Sequence, residues 1–357
     1  MINTYIPYFK KKDQNILSQC LKTNFVSTAG PLVKKFEDNF SKEYNFKYSV
    51  ALNSGTSALH LGLKAIGVKN GDTVILPSYT FAATANAVIY NNAHPWFFDC
   101  NENFEFSLNQ IEKTLKKETY FKNKNLILKK TGSIVRAIIP VSTFGKKINF
   151  NSIKTFSNKY NLKIIFDTAA CHDPKIFKFK KNNKMNFCFS FNGNKTLTTG
   201  AGGMFSSNSK SLVSKIRTLA NVGKKLKKYD YETVGYNYKM TNIQASLGLL
   251  QLKNLDNIIY LKKKIFSKYK QIFSSIRGIS LISDDQYTNW IFGIIVQNFK
   301  KFKIIKNALN KSNIQMDLFW KPLHLQQPYK NFKKSNLNFS NSIWNRVIIL
   351  PSHPGLK

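Results

Sequence analysis

Between about residues 50 and 220, short apolar runs alternate with segments that carry apolar side chains at helical spacing. A chain with this alternation is expected to form an α/β fold, with a mostly parallel sheet covered by helices on both faces. Ligands of such sheets bind outside the carboxyl ends of the strands. The strand-like runs lie at 48–52, 73–76, 95–99, 135–141, 163–167, 186–191 and 203–206, and the helical segments at 57–66, 82–90, 151–160 and 211–221.

The rest of the chain predicts a second, smaller unit. Residues 241–273 keep apolar side chains at helical spacing, so we expect one long helix that bridges the two units. We therefore predict a large domain over residues 1–240 and a smaller α+β domain, with the bridging helix, over 241–357. The elements expected in the smaller domain are strands at 279–282, 290–296 and 347–351 and a helix at 300–311.

Lysine dominates the charge of the chain. The 357 residues carry a formal net charge of +37, and all but four of the 55 basic residues are lysines. The lysines are scattered, and the lysine-rich region 113–130 is expected to be an exposed helix end or loop. Nucleic-acid readers depend on arginine forks and on clustered charge. We therefore interpret the positive charge as part of a general composition bias, in which Asn, Ile and Phe are also abundant, and not as a nucleic-acid-binding surface.

No segment of the sequence indicates export or membrane insertion. The N-terminal segment MINTYIPYFKKKDQ lacks the apolar core of a signal peptide, and no apolar run approaches the roughly 18 residues that span a bilayer. The cysteines show neither a CxxC pair nor metal-type spacing; they are Cys20, Cys100, Cys171 and Cys188. We expect a cytoplasmic protein without a metal site.

One lysine has an unusual setting. Lys195 follows an aromatic-rich strand and precedes a Thr/Gly-rich run, in FSFNGNKTLTTGAGG, where a backbone can approach a ligand closely. Asn194 precedes it, so the Gly-Lys of a P-loop is absent, as is a GxGxxG fingerprint. A lysine on such a loop can form a Schiff base if it is desolvated enough to lose its proton. Without the other segments described below, one more solvated lysine is the safer interpretation.

Other segments contain polar side chains that could have either a structural role or a role in binding a ligand. Thr56 or Ser57 can cap the helix that follows, or its N-terminus can bind a phosphate. Asp167 ends a buried strand, where a carboxylate either caps a turn or pairs with a cation such as a protonated ring nitrogen. Ser190 can point its hydroxyl to the same region as Lys195, and Asn237 lies in a loop before the long helix.

Together, in order and spacing, these segments resemble the fold-type I pyridoxal-phosphate transferases, and among them the DegT-type nucleotide-sugar aminotransferases. The resemblance covers nearly the whole chain. It implies a large α/β domain, a smaller C-terminal α+β domain, pyridoxal 5′-phosphate as cofactor and a homodimer with shared active sites. The segments that carry it are FVSTAGPLVKKFE, ALNSGTSALHLGLKAIGVKNGDTVILPSYTFAATANAV, IIFDTAA, SFNGNKTLTTGAGGM, GYNYKMTNIQASLGLLQL and KPLHLQQPY.

The resemblance also implies roles for single residues. Lys195 matches the lysine that holds the cofactor covalently and moves protons, Asp167 pairs with the pyridine nitrogen, and Phe81 stacks on the ring. The implied phosphate ligands are Thr56, Ser57 and Ser190, with Asn237 reaching in from a neighbouring subunit. The implied substrate contacts are His324, Tyr79 and Lys321.

The implied reaction moves an amino group from L-glutamate to the ketone of a nucleotide-linked 4-keto-6-deoxy sugar. The phrases FVSTAG, SFNGNKTLTTG and WKPLHLQQPY most resemble the LegC-like branch, which aminates UDP-linked N-acetylated 4-keto sugars for surface glycans. The chain departs from the family pattern at Ala170, where Gln or Glu is common, at Ala201, and at its end, LPSHPGLK, where relatives usually add a helix.

Two alternatives to the aminotransferase remain open at the level of the sequence. One is a sugar dehydratase of the same family, which keeps the cofactor but has His in place of the lysine; Lys195 argues against it. The other is a basic binding protein on a degenerate enzyme fold, which the charge and Ala170 favour. The retained set of Lys195, Asp167, Ser190 and Asn237 disfavours this second alternative.

Overall fold

The computed structural model describes residues 1–179, 185–224, 229–282 and 290–356. The strands within these ranges are β1 (Tyr48–Leu52), β2 (Thr73–Pro77), β3 (His94–Phe98), β4 (Thr119–Lys122), β5 (Asn125–Leu128), β6 (Val135–Ile138), β7 (Lys163–Ile164), β8 (Phe166–Asp167), β9 (Asn186–Ser190), β10 (Gly203–Ser207), β11 (Ile279–Ile282), β12 (Phe292–Val296), β13 (Asp317–Leu318), β14 (Lys333–Lys334) and β15 (Val347–Leu350).

Polar side chains start several of the helices. Ser54, Asn149, Ser209 and Thr241 each accept a hydrogen bond from a backbone N–H in the first turn of the helix that follows. The α-helices of the described ranges are α1 (Asn15–Lys22), α2 (Leu32–Glu43), α3 (Gly55–Ala65), α4 (Ala82–Ile89), α5 (Leu108–Glu118), α6 (Phe150–Lys159), α7 (Lys210–Ala220), α8 (Asn242–Lys253), α9 (Leu255–Ser274), α10 (Phe299–Lys311) and α11 (Asn338–Ile343).

Two neighbouring sheets form the centre of the N-terminal part. The strands β14, β3, β2, β6 and β7 make an all-parallel sheet in that order. The strands β1, β10, β9 and β8 make a second sheet, parallel between β8 and β9 and antiparallel elsewhere. A bridge between Val141 and Asp167 connects the segment after β6 to β8. The predicted α/β fold is confirmed, with more antiparallel pairing than the sequence indicates.

A cluster of aromatic rings fixes the second sheet against α2. Phe40 stacks on Tyr44 with ring centroids 4.1 Å apart and meets Phe189 of β9 edge-on at 5.0 Å. The Tyr44 hydroxyl donates to the backbone oxygen of His172 at 2.8 Å. Such ring pairs add about 0.5–1.5 kcal/mol each beyond their buried area. The cluster therefore holds β9, whose last residue is Ser190, in a rigid setting.

The C-terminal part contains a separate antiparallel sheet. Its strand order is β11, β12, β15, β13, and α9 and α10 pack their apolar residues against it. One strand of this part, β14, instead joins the parallel sheet beside β3. The division into domains at residues 240 and 241 remains a prediction.

One expectation about a single element is wrong, and another is right only in part. The helix expected over 241–273 is two helices, because Asn254 leaves helical geometry with φ −95° and ψ 0°, and α9 starts after it. The region 113–130 contains the expected exposed helix end, because α5 ends there at Glu118, but it continues as a hairpin of β4 and β5 in which Leu126 and Leu128 are buried. None of the described helices is both long and apolar enough to cross a membrane.

Candidate active site

A cavity of about 370 Å³ lies where β8 and β9 end and where α3 and α4 begin. Its volume is within the range of small-molecule sites. Polar groups enter it from the sheet and from the two helix N-termini, and aromatic rings enter it from distant segments of the chain. Its lining includes Tyr5, Ser54, Thr56, Phe81, Thr84, Asp167, Ser190, Asn194, Lys195, Trp290 and Trp320.

Asp167 gives the cavity a buried carboxylate. It is 4% exposed; its Oδ2 accepts from the Thr84 hydroxyl at 2.8 Å, and its Oδ1 accepts from the Ala169 N–H at 3.1 Å. The Thr84 hydroxyl in turn lies 3.0 Å from that of Thr80. Burial raises the pKa of Asp167, although the two hydrogen bonds and the nearby Lys195 charge oppose this. A carboxylate held in this way favours a cationic partner inside the cavity.

Lys195 lies in the same cavity on the loop after β9. Its backbone N–H donates to the Asn192 oxygen at 2.9 Å, which closes the turn that carries the lysine. Burial lowers the pKa of Lys195 to about 7, and the Asp167 charge partly offsets that effect. An amine with a pKa near 7 is a nucleophile in its neutral form and a proton donor in its charged form at neutral pH.

The N-terminus of α3 forms a polar corner of the cavity. Ser54 caps the helix, accepting from the Ser57 N–H at 3.0 Å, and Thr56 and Ser190 line the cavity beside it. A Cβ on Gly55 would lie 2.8 Å from the Cβ of Ser190, so only glycine permits this close approach of helix and strand. Free N–H groups, the helix dipole and small hydroxyls together suit a phosphate group.

Aromatic rings form another side of the cavity. Phe81 precedes α4 and is 59% exposed, with its ring centroid 6.0 Å from that of Trp320. Trp290 is buried, with its centroid 6.3 Å from that of Trp320 and 5.8 Å from that of Tyr5. An exposed phenylalanine at a cavity mouth is suited to cover a planar ligand ring.

The structure thus brings Lys195, Asp167, Phe81, Thr56 and Ser190 together. Ser57 is close by but buried, and its hydroxyl donates to the Asn53 side chain at 2.6 Å. It does not line the cavity. Its predicted role as a phosphate ligand through the side chain is therefore not favoured by the geometry.

The predicted substrate contacts do not line this cavity. Tyr79 is completely buried and its hydroxyl donates to the Phe319 oxygen at 2.8 Å, so the ring belongs to the core. His324 is buried between the Ser78 hydroxyl and the Asn341 amide oxygen, at 2.6 and 2.8 Å. Lys321 is exposed, and its Nζ lies 5.9 Å from the centre of the Trp344 ring. The three assignments remain predictions that this cavity does not support.

Asn237 is exposed and its side chain is outside the cavity of its own chain. The expectation that it reaches a neighbouring subunit remains a prediction.

Several residues of the cavity are missed by the sequence reasoning. Tyr5 and Trp290 lie outside the matched segments, Trp320 is only the first residue of the phrase WKPLHLQQPY, and no local pattern marks any of the three as a neighbour of Lys195. Thr84 could have been found, because it follows Phe81 by three residues at a predicted helix start. Within the described part of the chain, no group of three His, Cys, Asp or Glu side chains is placed to hold a metal ion.

His172 supports the cavity from behind. It is buried, and its Nε2–H donates to the backbone oxygen of Ser190 at 2.9 Å. Burial, with a smaller effect of the Lys195 charge, lowers the pKa of His172 to about 3. The ring is therefore neutral at physiological pH and acts as a fixed hydrogen-bond donor.

Comparison with known proteins gives consistent matches over the whole chain. The model of the DegT/DnrJ/EryC1/StrS aminotransferase family matches residues 7–357. The chain is 30% identical over 327 residues to the "Putative pyridoxal phosphate-dependent aminotransferase EpsN" of Bacillus subtilis, covering 90% of this chain and 81% of that protein. It is 31% identical over 360 residues to GDP-perosamine synthase of Escherichia coli O157:H7, covering 99% and 94%.

A more distant relative and a solved structure extend the comparison. A UDP-4-amino-4,6-dideoxy-N-acetyl-beta-L-altrosamine transaminase of Campylobacter jejuni is 29% identical over 356 residues, covering 96% of this chain and 90% of that protein. A crystal structure of a DegT DnrJ EryC1 StrS aminotransferase from Brucella abortus superposes with a TM-score of 0.84 at 25% identity, covering 97% and 91% of the two chains.

Proposed function

The chain belongs to the DegT/DnrJ/EryC1/StrS aminotransferase family, and we propose that it transfers an amino group from L-glutamate to a nucleotide-linked 4-keto-6-deoxy sugar. It is a pyridoxal 5′-phosphate-dependent nucleotide-sugar aminotransferase of glycan biosynthesis. The observation that supports amino transfer is the meeting of Lys195 and Asp167 in one cavity beside a corner suited to a phosphate.

The residues of the cavity fit pyridoxal phosphate. The Gly55 approach to Ser190 leaves a corner at the N-terminus of α3 that suits the phosphate, with Thr56 and Ser190 as hydroxyl ligands. Asp167 is a buried carboxylate whose raised pKa indicates that it lacks a full counter-charge, and a protonated pyridine nitrogen provides one. Lys195 has the lowered pKa that a Schiff-base lysine needs.

When bound, the cofactor supplies a carbonyl carbon that accepts an amino group and a ring that withdraws electrons from the reacting carbon. Lys195 Nζ would carry a proton from the amino-acid carbon to the cofactor in the glutamate half of the reaction, and from the cofactor to the sugar carbon in the other half. Asp167 holds the proton on the ring nitrogen, and Thr84 orients the carboxylate for this. Phe81 covers one ring face and keeps water from it.

The acceptor is proposed to be a UDP-linked, N-acetylated 4-keto-6-deoxy sugar. Supporting this are the sequence phrases that resemble the LegC-like branch and the name of the Campylobacter relative, which specifies a UDP-linked N-acetyl sugar. The more similar Escherichia relative is named for a GDP-linked product, so a panel of nucleotides is the appropriate test.

We further propose a homodimer and a cytoplasmic location. Apolar side chains are exposed near Asn237 on the same loop region: Val222 is 42%, Tyr231 54% and Val234 88% exposed. A second copy that covers this region would also receive Asn237 in its site. Light scattering on the purified protein tests the dimer.

The proposed cytoplasmic location is supported by the cysteines. All four are buried and none forms a disulfide, which suits a reducing compartment.

Absorbance spectroscopy with added pyridoxal phosphate tests the assignment of Lys195. The wild type is expected to develop a visible band, Lys195→Ala to bind the cofactor without it, and the control Lys210→Ala, an exposed lysine at the start of α7, to match the wild type. After L-glutamate has bleached the band, UDP-, dTDP- and GDP-linked 4-keto sugars are added in turn. Restoration by the UDP-N-acetylated sugar alone supports the proposal.

Other outcomes favour the alternatives. A band that survives in Lys195→Ala would remove the residue from its central role. Restoration by a GDP- or dTDP-linked sugar would overturn the choice of nucleotide and retain the aminotransferase. A wild type that never develops a band would favour the binding protein on a degenerate fold.

A further inference from the structure

Trp290 contacts the amino group of Lys195. The Nζ of Lys195 lies 3.5 Å from the centre of the Trp290 ring, over its face. Within the described ranges, that Nζ makes no hydrogen bond and no ion pair; Asp167 acts on it only at longer range. A cation over an indole face at this distance is attracted by the ring quadrupole, and most strongly when it is shielded from water.

The same indole also holds the backbone next to the lysine. Its Nε1–H donates to the Asn194 oxygen at 2.6 Å, one residue before Lys195. The Asn194 peptide belongs to the turn that the Lys195 N–H closes onto the Asn192 oxygen. One side chain therefore contacts both the anchor and the tip of the lysine.

Trp290 is itself held firmly. It is 4% exposed, its backbone N–H donates to the Phe144 oxygen at 2.8 Å, and Tyr5 stacks with its ring at an interplanar angle of 23°. It lies two residues before β12 of the antiparallel sheet begins at Phe292, whereas Lys195 follows β9 of the central sheet. The contact thus connects the C-terminal sheet to the reactive lysine.

We propose that Trp290 is a positioning residue for Lys195, whose N–H fixes the turn that carries the lysine and whose ring face holds the ammonium and stabilises its charge. In part this rests on the proposed function, because a positioned lysine matters for amino transfer. Burial favours the neutral amine and the ring face favours the charged one. The indole therefore determines where Nζ rests between reaction steps and opposes the loss of its proton.

Fluorinated tryptophans test the ring-face part without changing shape, because fluorine weakens the quadrupole of the ring face. The full chain, free of cofactor, is produced with mono-, di- and trifluorinated tryptophan. The pKa of Lys195 is then measured from the pH dependence of acetic anhydride labelling on its peptide. The pKa is expected to fall stepwise, by about one unit across the series, because the charged form loses stabilisation.

A matched background separates Trp290 from the other three tryptophans. In Trp290→Phe, the same analogues still replace Trp96, Trp320 and Trp344, so fluorination should leave the pKa of Lys195 unchanged. A pKa that ignores fluorination in the wild type, or that shifts equally in Trp290→Phe, would overturn the ring-face part of the proposal.

Hydrogen exchange tests the anchoring part. Trp290→Phe retains a ring but loses the N–H, so the Lys195 amide is expected to exchange about tenfold faster, as the loss of one buried hydrogen bond predicts. Trp344→Phe, the same change in a half-buried tryptophan that does not line the cavity, should leave this amide unaffected. Equal exchange in the wild type and Trp290→Phe would contradict the anchoring role.

Neither measurement uses cofactor or sugar. Failure of the positioning role therefore remains distinguishable from failure of the proposed reaction, which only the spectroscopic and turnover experiments address.

Discussion

The carboxyl group of Asp167 is buried in the cavity, which costs free energy of folding when the group is charged, and it is also the proposed partner of the cofactor's ring nitrogen. Its two hydrogen bonds, from Thr84 and from the Ala169 N–H, do not cancel the effect of burial, and its pKa stays raised. In the cofactor-free protein the folded state therefore binds this proton more tightly than the unfolded chain. Stability falls as pH rises from the ordinary Asp pKa near 4 to the raised value.

Asp167→Asn removes that titration, so the variant should be more stable than the wild type at pH 7 by about 1–2 kcal/mol in the cofactor-free form. The Asn amide can donate to Thr84, whose hydroxyl then donates to Thr80. The advantage should shrink as pH falls towards 4, where the wild type is protonated as well. Thermal unfolding at pH 4 to 8 measures this, with the exposed Asp38→Asn as the control.

The same variant should lose activity by at least about a hundredfold, because Asn cannot hold a proton on the ring nitrogen. A variant that is less stable than the wild type at pH 7, or as active, would contradict the role given to Asp167.

At the level of residues, the sequence was enough to predict the side chains expected to react or to pair with the cofactor. It was not enough to predict the side chains that position them. Lys195, Asp167 and Ser190 follow strands whose apolar pattern is visible, so their convergence could be predicted. Trp290 is far from Lys195 in the chain, and only tertiary contacts, such as that of the Trp290 backbone with Phe144, bring the two together. Tyr79 and Phe81 are two residues apart, yet one is completely buried and the other 59% exposed, which the loop conformation decides.

Among the helices, the N-terminus of α3 differs from other capped ends in facing the cavity. Ser54→Ala removes the acceptor for the Ser57 N–H and should cost about 1 kcal/mol of stability. It should also weaken pyridoxal phosphate binding by about tenfold, because the loosened first turn presents its N–H groups less well to the phosphate.

Ser209→Ala is the matched control for this prediction. Ser209 caps α7, a helix of the same length, by accepting from the Leu212 N–H, and it does not line the cavity. We expect a similar loss of stability in denaturant unfolding and unchanged cofactor affinity in an absorbance titration. Equal weakening of cofactor binding in both variants would show that general destabilisation, and not the helix terminus, is responsible.

Helices and strands could be predicted from the sequence where the spacing of apolar residues was clear. The residues at which these elements end could not. The break at Asn254 carries no Gly or Pro, and the apolar spacing continues across it, so Lys253 followed by Asn254 is only a weak signal for a helix end. The hairpin of β4 and β5 was not predicted because the lysines of this region suggest an exposed segment. The leucines of β5 are nevertheless buried.

Across the whole molecule, one buried ion pair ties three elements together. Arg217 of α7 donates to both carboxylate oxygens of Glu37 of α2, at 3.0 and 2.7 Å, and the Ala51 N–H of β1 donates to the same carboxylate at 2.8 Å. Glu37 is 2% exposed, whereas the Arg217 side chain is half exposed. Loss of the charge leaves the arginine without its partner and weakens the junction.

Glu37→Gln should therefore lower the free energy of unfolding by about 2 kcal/mol, less than for a fully buried pair because water reaches the arginine. Asp38→Asn, which breaks the exposed pair with Lys34 on the same helix, should change it by less than about 1 kcal/mol. Urea unfolding measures both. Equal effects of the two changes would contradict a special role for the buried pair.

The overall architecture could be predicted only in outline. The alternation of strands and helices indicated an α/β fold, but the sequence does not specify that β10 inserts between β1 and β9, or that β14 returns to pair with β3. Such pairings join segments that are far apart in the chain, and only their mutual burial selects them.

The amino transfer itself is tested most directly by a single half-reaction. The protein, loaded with pyridoxal phosphate and freed of excess cofactor, is mixed with L-glutamate in the absence of any sugar, and 2-oxoglutarate is quantified. One 2-oxoglutarate per bound cofactor is expected, with loss of the visible band and no further turnover until a keto sugar is added. A protein that binds the cofactor through Lys195 yet forms no 2-oxoglutarate would contradict glutamate-dependent amino transfer.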